Sequence, residues 1–263
     1  MVEHVTENHG VGSSILPLGT ITPIVSRPLL VLLIVTITWL GGANASGALR
    51  SRQSADPYAQ QRALMVAEQI RAGGVRDSRV LQAMRAVPRH EFVPPSQRHL
   101  AYADRPLPIG YGQTISQPFI VGYMTEGLGV TKAHKVLEVG TGSGYQAAVL
   151  AQLSGQVYTI EIVPELARQA AATLTRLGYS NVQVREGDGY AGWPQHAPFD
   201  RIMVTAAPER IPQPLIDQLA SGGRMVIPVG NAEQWLMVLE KTAAGVVARR
   251  TIRVRFVPFT RAK

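Results

Sequence analysis

The chain of 263 residues is 46% hydrophobic and 17% charged, which excludes a disordered protein and allows one large core with a small additional unit. The lack of cysteine excludes disulfides, thiolate metal sites and cysteine nucleophiles, and with them the covalent route to cytosine or uracil C5. A formal charge of +8 permits attraction to nucleic acid, but basic charge alone gives salt-sensitive attraction without specificity.

The first predicted element is apolar. Arg27 precedes "PLLVLLIVTITWL", a run of about a dozen residues that is short for a membrane span and suits the core of a secretory signal. Ala43 and Ala45 present an A-x-A site, so a signal peptide over residues 1–45, cut after Ala45, is expected. Glu3 and Glu7 make the long leader a poor basic region, and an uncleaved membrane anchor is the competing reading. The protein is exported or periplasmic if the segment is a signal, and cytoplasmic or membrane-anchored otherwise. Residues 46–56 are small and polar and read as a linker.

Asp56 and Pro57 signal a helix start. The stretch "PYAQQRALMVAEQIRAGGV" is expected to bury Leu64, Ala67 and Ile70 at helical spacing and to stop at Gly73 and Gly74. A second helix over Ser78–Ala86 runs into "VPRHEFVPP", and the proline- and glycine-rich "YADRPLPIGYGQTISQPF" reads as a loop before a helix near residues 120–128. From Lys135, strands "KVLEV", "QVYTIEI", "VQVREGD", "FDRIMVTA" and "RMVIPVG" alternate with helices "GYQAAVLAQLS", "VPELARQAAATLTRLG" and "IPQPLIDQLAS". That alternation predicts an α/β fold, a doubly wound and mostly parallel Rossmann-like sheet with its ligand outside the carboxyl ends of the strands. The segments "EQWLMVLEKT" and "VVARRTIRVRFVPF" close it as an antiparallel hairpin. There Arg253 and Arg255 alternate with Ile252, Val254 and Phe256, which reads as the wet face of a strand without an aromatic platform, and no nucleic-acid partner is expected.

The stretch "KVLEVGTGSGY" places Gly140, Gly142 and Gly144 as G-x-G-x-G. The dinucleotide fingerprint needs its third glycine where this chain has Tyr145, and no lysine follows as in a phosphate-cradling loop. Glu138 just before the loop would repel phosphate and suits a cationic or zwitterionic ligand. Glu161 ends the next strand about 20 positions on, the interval at which such folds set an acid on ribose hydroxyls. Asp188 in "REGDGY" could accept from an adenine amino group. With Thr141, Ser143, Ile162, Gly189 and Thr205 beside them, this ordered set predicts S-adenosylmethionine binding. The plainer reading is that the three acids cap the helices after their strands. For the methyl acceptor, "TAAP" (Thr205 to Pro208) stands where amino-methylating enzymes of this class carry an "NPPY"-type motif. An acceptor that is already anionic, such as a carboxylate, needs positioning rather than proton removal.

From about Tyr58 onward the chain resembles the protein-L-isoaspartate (D-aspartate) O-methyltransferase family, through "VPRHEFVP", "YADRPLPIGYGQTISQPFIVGYMTE", "VLEVGTGSGYQAAVLA", "FDRIMVTAAPERIP", "LASGGRMVIPVG" and "VRFVP". The resemblance implies a class I methyltransferase domain over residues 57–263, with a helical and substrate-loop region at 57–128 and a cofactor-binding core at 135–263. It implies methyl transfer from S-adenosylmethionine to the free carboxylate of L-isoaspartyl and D-aspartyl residues in damaged proteins, the ester then collapsing to a succinimide that can reopen as aspartate. Ser116, with Thr114 as helper, falls at the active site, and Gln117, Val257 and Pro258 at the peptide groove. The residues alone leave open that both hydroxyls serve local turn chemistry. Tyr111 and Ala103 depart from the histidine and glutamate usual in the family. His90, His99, His134 and His196 show no ligand spacing, so no metal is expected, and a monomer is expected. The competing functions are methylation of RNA or a small acceptor, and isoaspartyl binding without catalysis.

Overall fold

The computed structural model describes residues 56–261, so the expected signal or anchor, and the linker before Asp56, lie outside the described residues. Among the described residues no helix is long and apolar enough to cross a membrane.

The first expected helix forms with a different face. α1 (Ala59–Leu64) runs directly into a π-helical segment, Met65–Arg71. Leu64 is 47% exposed and Ala67 is exposed, contrary to the expected stripe, whereas Met65, Ile70 and Val75 are fully buried. The i→i+5 winding stacks residues five apart, and that spacing selects the buried set. α2 (Ser78–Ala86) matches expectation, and the Asp77 side chain caps it by accepting from Arg79 N at 2.9 Å. The expected loop over residues 102–119 instead contains a hairpin, β1 (Leu107–Gly110) with β2 (Gln113–Ile115), turning at Tyr111 with φ +52° between two glycines. α3 (Pro118–Leu128) follows, its Phe119 N held by the Asp104 carboxylate at 2.9 Å.

The core sheet is built from β3 (Lys135–Val139), β4 (Gln156–Glu161), β5 (Val182–Glu186), β6 (Phe199–Val204), β7 (Leu219–Gly230), β8 (Gln234–Thr242) and β9 (Gly245–Val254). The order is β5-β4-β3-β6-β7-β8-β9, parallel through β7 and antiparallel for β8 and β9. α4 (Tyr145–Leu153), α5 (Pro164–Arg176) and a short α6 (Gln213–Asp217) connect the parallel strands. The winding reverses between β3 and β6, which sets the crevice at their carboxyl ends. Strand periodicity fills both faces: Val136, Met203 and Val226 join one cluster, while Leu137, Ile202, Val204, Met225 and Ile227 join the other.

The third connecting helix is shorter than expected. Residues 219–221, read as its end, belong to β7, where Leu219 pairs with Phe199 before the register shifts to Arg201 opposite Arg224. The pair Gly222 and Gly223 sits in that interval, so a bulge replaces the predicted helical turn.

After β9 the chain folds back over the strand ends. Ala207 N donates to Val257 O and Phe259 N donates to Ala207 O, both at 2.9 Å. The Gln234 side chain clasps Phe256, accepting from its N at 2.6 Å and donating to its O at 3.2 Å. Gln234→Ala removes both bonds and is expected to cost about 1–3 kcal/mol of stability. Limited trypsin digestion after Arg255 should accelerate in step. An unchanged cleavage rate would show that the tail is held without the clasp.

Candidate functional site

At the carboxyl ends of β3 and β4 the glycine loop turns so that Gly140, Gly142 and Gly144 all take positive φ, +95°, +54° and +89°. The closest approach is at Gly140, where a Cβ would collide with Thr205 Oγ1. That hydroxyl instead bonds Gly140 O at 2.6 Å, and Thr205 N bonds Val139 O at 2.9 Å, tying β6 to the loop. The Glu161 carboxylate, 5% exposed, accepts from Gly142 N at 2.7 Å and from Val163 N at 3.0 Å. One acid therefore fixes both the glycine loop and the entry to α5.

An open cleft lies here. Gly140, Thr141, Gly142 and Ser143 form its floor, with Glu161, Ile162, Gly189 and Thr205 around them, as the sequence predicted. Its remaining wall comes from places that sequence reasoning passed over. Tyr145 and Gln146 open α4, Val121 faces in from α3, and Phe259 closes the cleft from the tail. The "VRFVPF" segment was the available signal for Phe259, since an apolar residue beyond the last strand needs somewhere to pack.

Three expected cofactor residues lie elsewhere. Gly144 is the N-cap of α4 and packs against Leu174 and Ala170. Asp188 caps the turn Gly189–Ala191 by accepting from Tyr190 N at 2.9 Å, and its other oxygen lies 3.5 Å from Arg261 Nε. This is the capping role the alternative reading gave it. Glu138 is fully buried between the sheet and its covering helices rather than in the cleft. Its partner is the Thr159 hydroxyl, which also bonds Thr141 Oγ1 at 2.6 Å, so Glu138 reaches the cleft only through two threonines. The other Glu138 oxygen has no hydrogen-bond partner among the described residues.

A second groove of about 1110 Å³ runs beside the first. Gln117, Pro106 and Phe119 flank it on one side and Arg253, Arg255 and Phe256 on the other. The two spaces share four residues, Thr114, Ser116, Thr205 and Val257. Pro258 lines only the first. Among the described residues neither the Thr114 nor the Ser116 hydroxyl makes a hydrogen bond, which leaves both free for a ligand and argues against turn chemistry. His90 is structural. His90 stacks on Tyr58 at 4.1 Å and shares a 2.7 Å bond with Tyr102, and no cluster suited to a metal occurs among the described residues.

Burial pushes the Glu138 carboxyl up to about 8; the Thr159 hydrogen bond opposes this and the Glu161 charge adds to it. With its folded pKa raised above the ordinary 4.5, this group stabilises fully below about pH 4.5. Toward pH 8 the unfolded chain ionises while the native chain keeps its proton, so the contribution is lost by at most about 1.4 kcal/mol per pH unit. Glu138→Gln is expected to flatten that part of the curve. Urea melts of the two proteins between about pH 5 and pH 8 would read it, and parallel curves would refute the assignment.

A family model described as protein-L-isoaspartate(D-aspartate) O-methyltransferase (PCMT) matches residues 59–263. A protein-L-isoaspartate O-methyltransferase from Gloeobacter violaceus is 64% identical over 201 residues, covering 76% of this chain and 98% of that one. One from Picosynechococcus is 58% identical, covering 78% and 92%. A solved protein-L-isoaspartate O-methyltransferase aligns with a TM-score of 0.68 at 28% identity, covering 76% of this chain and 65% of that one. A Plasmodium falciparum beta-aspartate methyltransferase (PCMT), solved with S-adenosyl-L-homocysteine, gives the same TM-score at 24% identity and covers 76% and 99%.

Proposed function

The chain belongs to the protein-L-isoaspartate(D-aspartate) O-methyltransferase family, and we propose that its two adjoining clefts hold the methyl donor and the damaged peptide, meeting at Ser116. The enzyme transfers a methyl group from S-adenosylmethionine to the free carboxylate of isoaspartyl residues. The observation that carries the site assignment is the shared wall. Donor and acceptor must approach in line, and Thr114, Ser116, Thr205 and Val257 are the residues common to both spaces.

The first cleft fits the cofactor. Its floor is backbone, kept open because side chains at Gly140 and Gly189 would collide with Thr205 and Val139. Glu161 has both oxygens aligned by backbone N–H groups and retains lone pairs for a diol. Phe259 and Ile162 offer apolar walls to a base. When bound, S-adenosylmethionine supplies a methyl group on a sulfonium sulfur, which a carboxylate oxygen can take without loss of a proton. Ser116 donates a hydrogen bond to the acceptor carboxylate and fixes which oxygen faces the methyl group. Thr114, exposed on the hairpin strand, serves the same carboxylate or the neighbouring peptide group. Gln117 and Val257 border the groove along which the peptide lies.

Methyl transfer from labelled S-adenosylmethionine to an isoaspartyl peptide, beside its aspartyl twin, tests the activity. Label should enter only the isoaspartyl peptide and leave as methanol in mild base. Ser116→Ala is expected to lower kcat by roughly tenfold or more while leaving cofactor affinity intact, as fits loss of one hydrogen bond to a charged group. Equal turnover in the variant would remove Ser116 from the site.

A further inference from the structure

Arg89 is the largest fully buried side chain in the described protein, with 0% of its surface exposed. A buried guanidinium ordinarily sits against a carboxylate, since an isolated charge loses several kcal/mol of hydration that nothing else restores. Arg89 has no such partner among the described residues. Its Nε donates to Ala101 O at 2.7 Å, one terminal nitrogen donates to Ser116 O at 2.8 Å, and the other has no acceptor. The charge also lies 4.8 Å from the centre of the Tyr145 ring, a residue that lines the first cleft. Asp104, whose charge acts on it, is already committed to Phe119 N and the Gln117 side chain at the start of α3.

Two of these contacts lead to the clefts, through Ser116 at their junction and through Tyr145 on the wall of the first. The Ser116 carbonyl is fixed by Arg89, so the direction of its side chain depends on the same guanidinium. Tyr145, beneath the cation, opens the helix that follows the glycine loop. The segment "VPRHEFVP" carries Arg89 into this position on a short turn, Arg89–Phe92, far in sequence from both.

We propose that Arg89 is a positioning residue of the methyl transfer: it fixes Ser116 through the serine carbonyl and supplies, from behind, the positive charge that draws the acceptor carboxylate to the junction. The inference rests on the reading of Ser116 as the acceptor contact. The indirect placement has a chemical purpose. A guanidinium bonded directly to the carboxylate would occupy the lone pairs that must attack the methyl carbon and would lower their nucleophilicity. A charge held one residue away lowers the cost of bringing the anion into the cleft, and leaves the attacking oxygen free.

The test compares two peptides, one with isoaspartate and a twin in which that free carboxylate is capped as the amide. Only the first should feel the charge. Arg89→Gln is expected to weaken binding of the carboxylate peptide by roughly tenfold or more, while affinity for the amide twin and for S-adenosylhomocysteine stays within about twofold. Arg89→Lys keeps the charge and loses the paired guanidinium bonds to Ala101 and Ser116, so it should retain the preference for carboxylate over amide and lose kcat. Equal weakening of both peptides in Arg89→Gln would reduce Arg89 to packing and overturn the inference, as would no change in either. If Arg89→Gln no longer binds S-adenosylhomocysteine, Arg89→Lys decides alone: loss of the carboxylate preference overturns the proposal, and loss of kcat with that preference kept supports it. Ser116→Ala separates the two levels. Full activity in that variant would sink the serine reading itself, whereas a slow Ser116→Ala beside an unaltered peptide preference in Arg89→Gln would sink only the role of Arg89.

Discussion

The carboxylate of Glu161 holds the binding end of the sheet together. Its oxygens accept from Gly142 N and Val163 N, so a single side chain at the tip of β4 determines where the loop after β3 turns and where α5 begins. The loop can reach that carboxylate only by taking left-handed backbone at alternate positions, and glycine does this at least cost. The shape of the first cleft follows. Thr205 comes in from β6 to fill the space above Gly140, and the tail after β9 returns to close the opposite wall. A carboxylate that both orders the loop and faces the cleft links cofactor binding to local stability, because the same group serves each.

The acceptor side is assembled differently. The hairpin β1–β2 leads directly into α3 while the tail comes from the far end of the chain, and none of the three is part of the core sheet. Their alignment depends on side-chain to backbone bonds: Arg89 to Ser116 and Ala101, Asp104 to Phe119, and Gln234 to Phe256. Such bonds can be lost singly. The groove is therefore more easily altered by mutation than the floor of the first cleft, which the strand ends and the Glu161 carboxylate support.

The cofactor half was largely legible because its signals are local: alternating strands and helices, a glycine loop, and an acid at a strand end. Boundaries of β3, α4 and β4 fell within a residue or so of expectation for that reason. The failures were non-local. Pro106 and Pro108 read as breakers, but a two-stranded ribbon leaves Pro108 a place without a ladder bond to supply, so a hairpin forms. The stripe of Leu64, Ala67 and Ile70 assumed 3.6 residues per turn, which the π segment does not obey. Residues 219–221 looked helical until the partner Phe199 is considered. Glu138 was read as a charge facing the ligand, from its place before the loop. Its register opposite Thr159, on the face that the helices cover, determines instead that it is buried and holds its proton. Arg89 carried no sequence signal at all, since an arginine beside a histidine and a glutamate looks like surface.

The residues that the two clefts share also bear on the class of acceptor. Thr114, Ser116, Thr205 and Val257 include no group that titrates near neutral pH. Methylating an amine or a hydroxyl requires a proton to leave, and a base within hydrogen-bond reach usually takes it. A carboxylate arrives as an anion and needs only to be held with one oxygen free. The junction provides hydroxyls to hold it and a buried positive charge behind them, which matches an anionic nucleophile and gives a neutral one no advantage. Of the basic residues near the carboxyl end, Arg249 and Arg250 line neither cleft and Arg253 and Arg255 flank the second groove, but none is among the four residues the two spaces share.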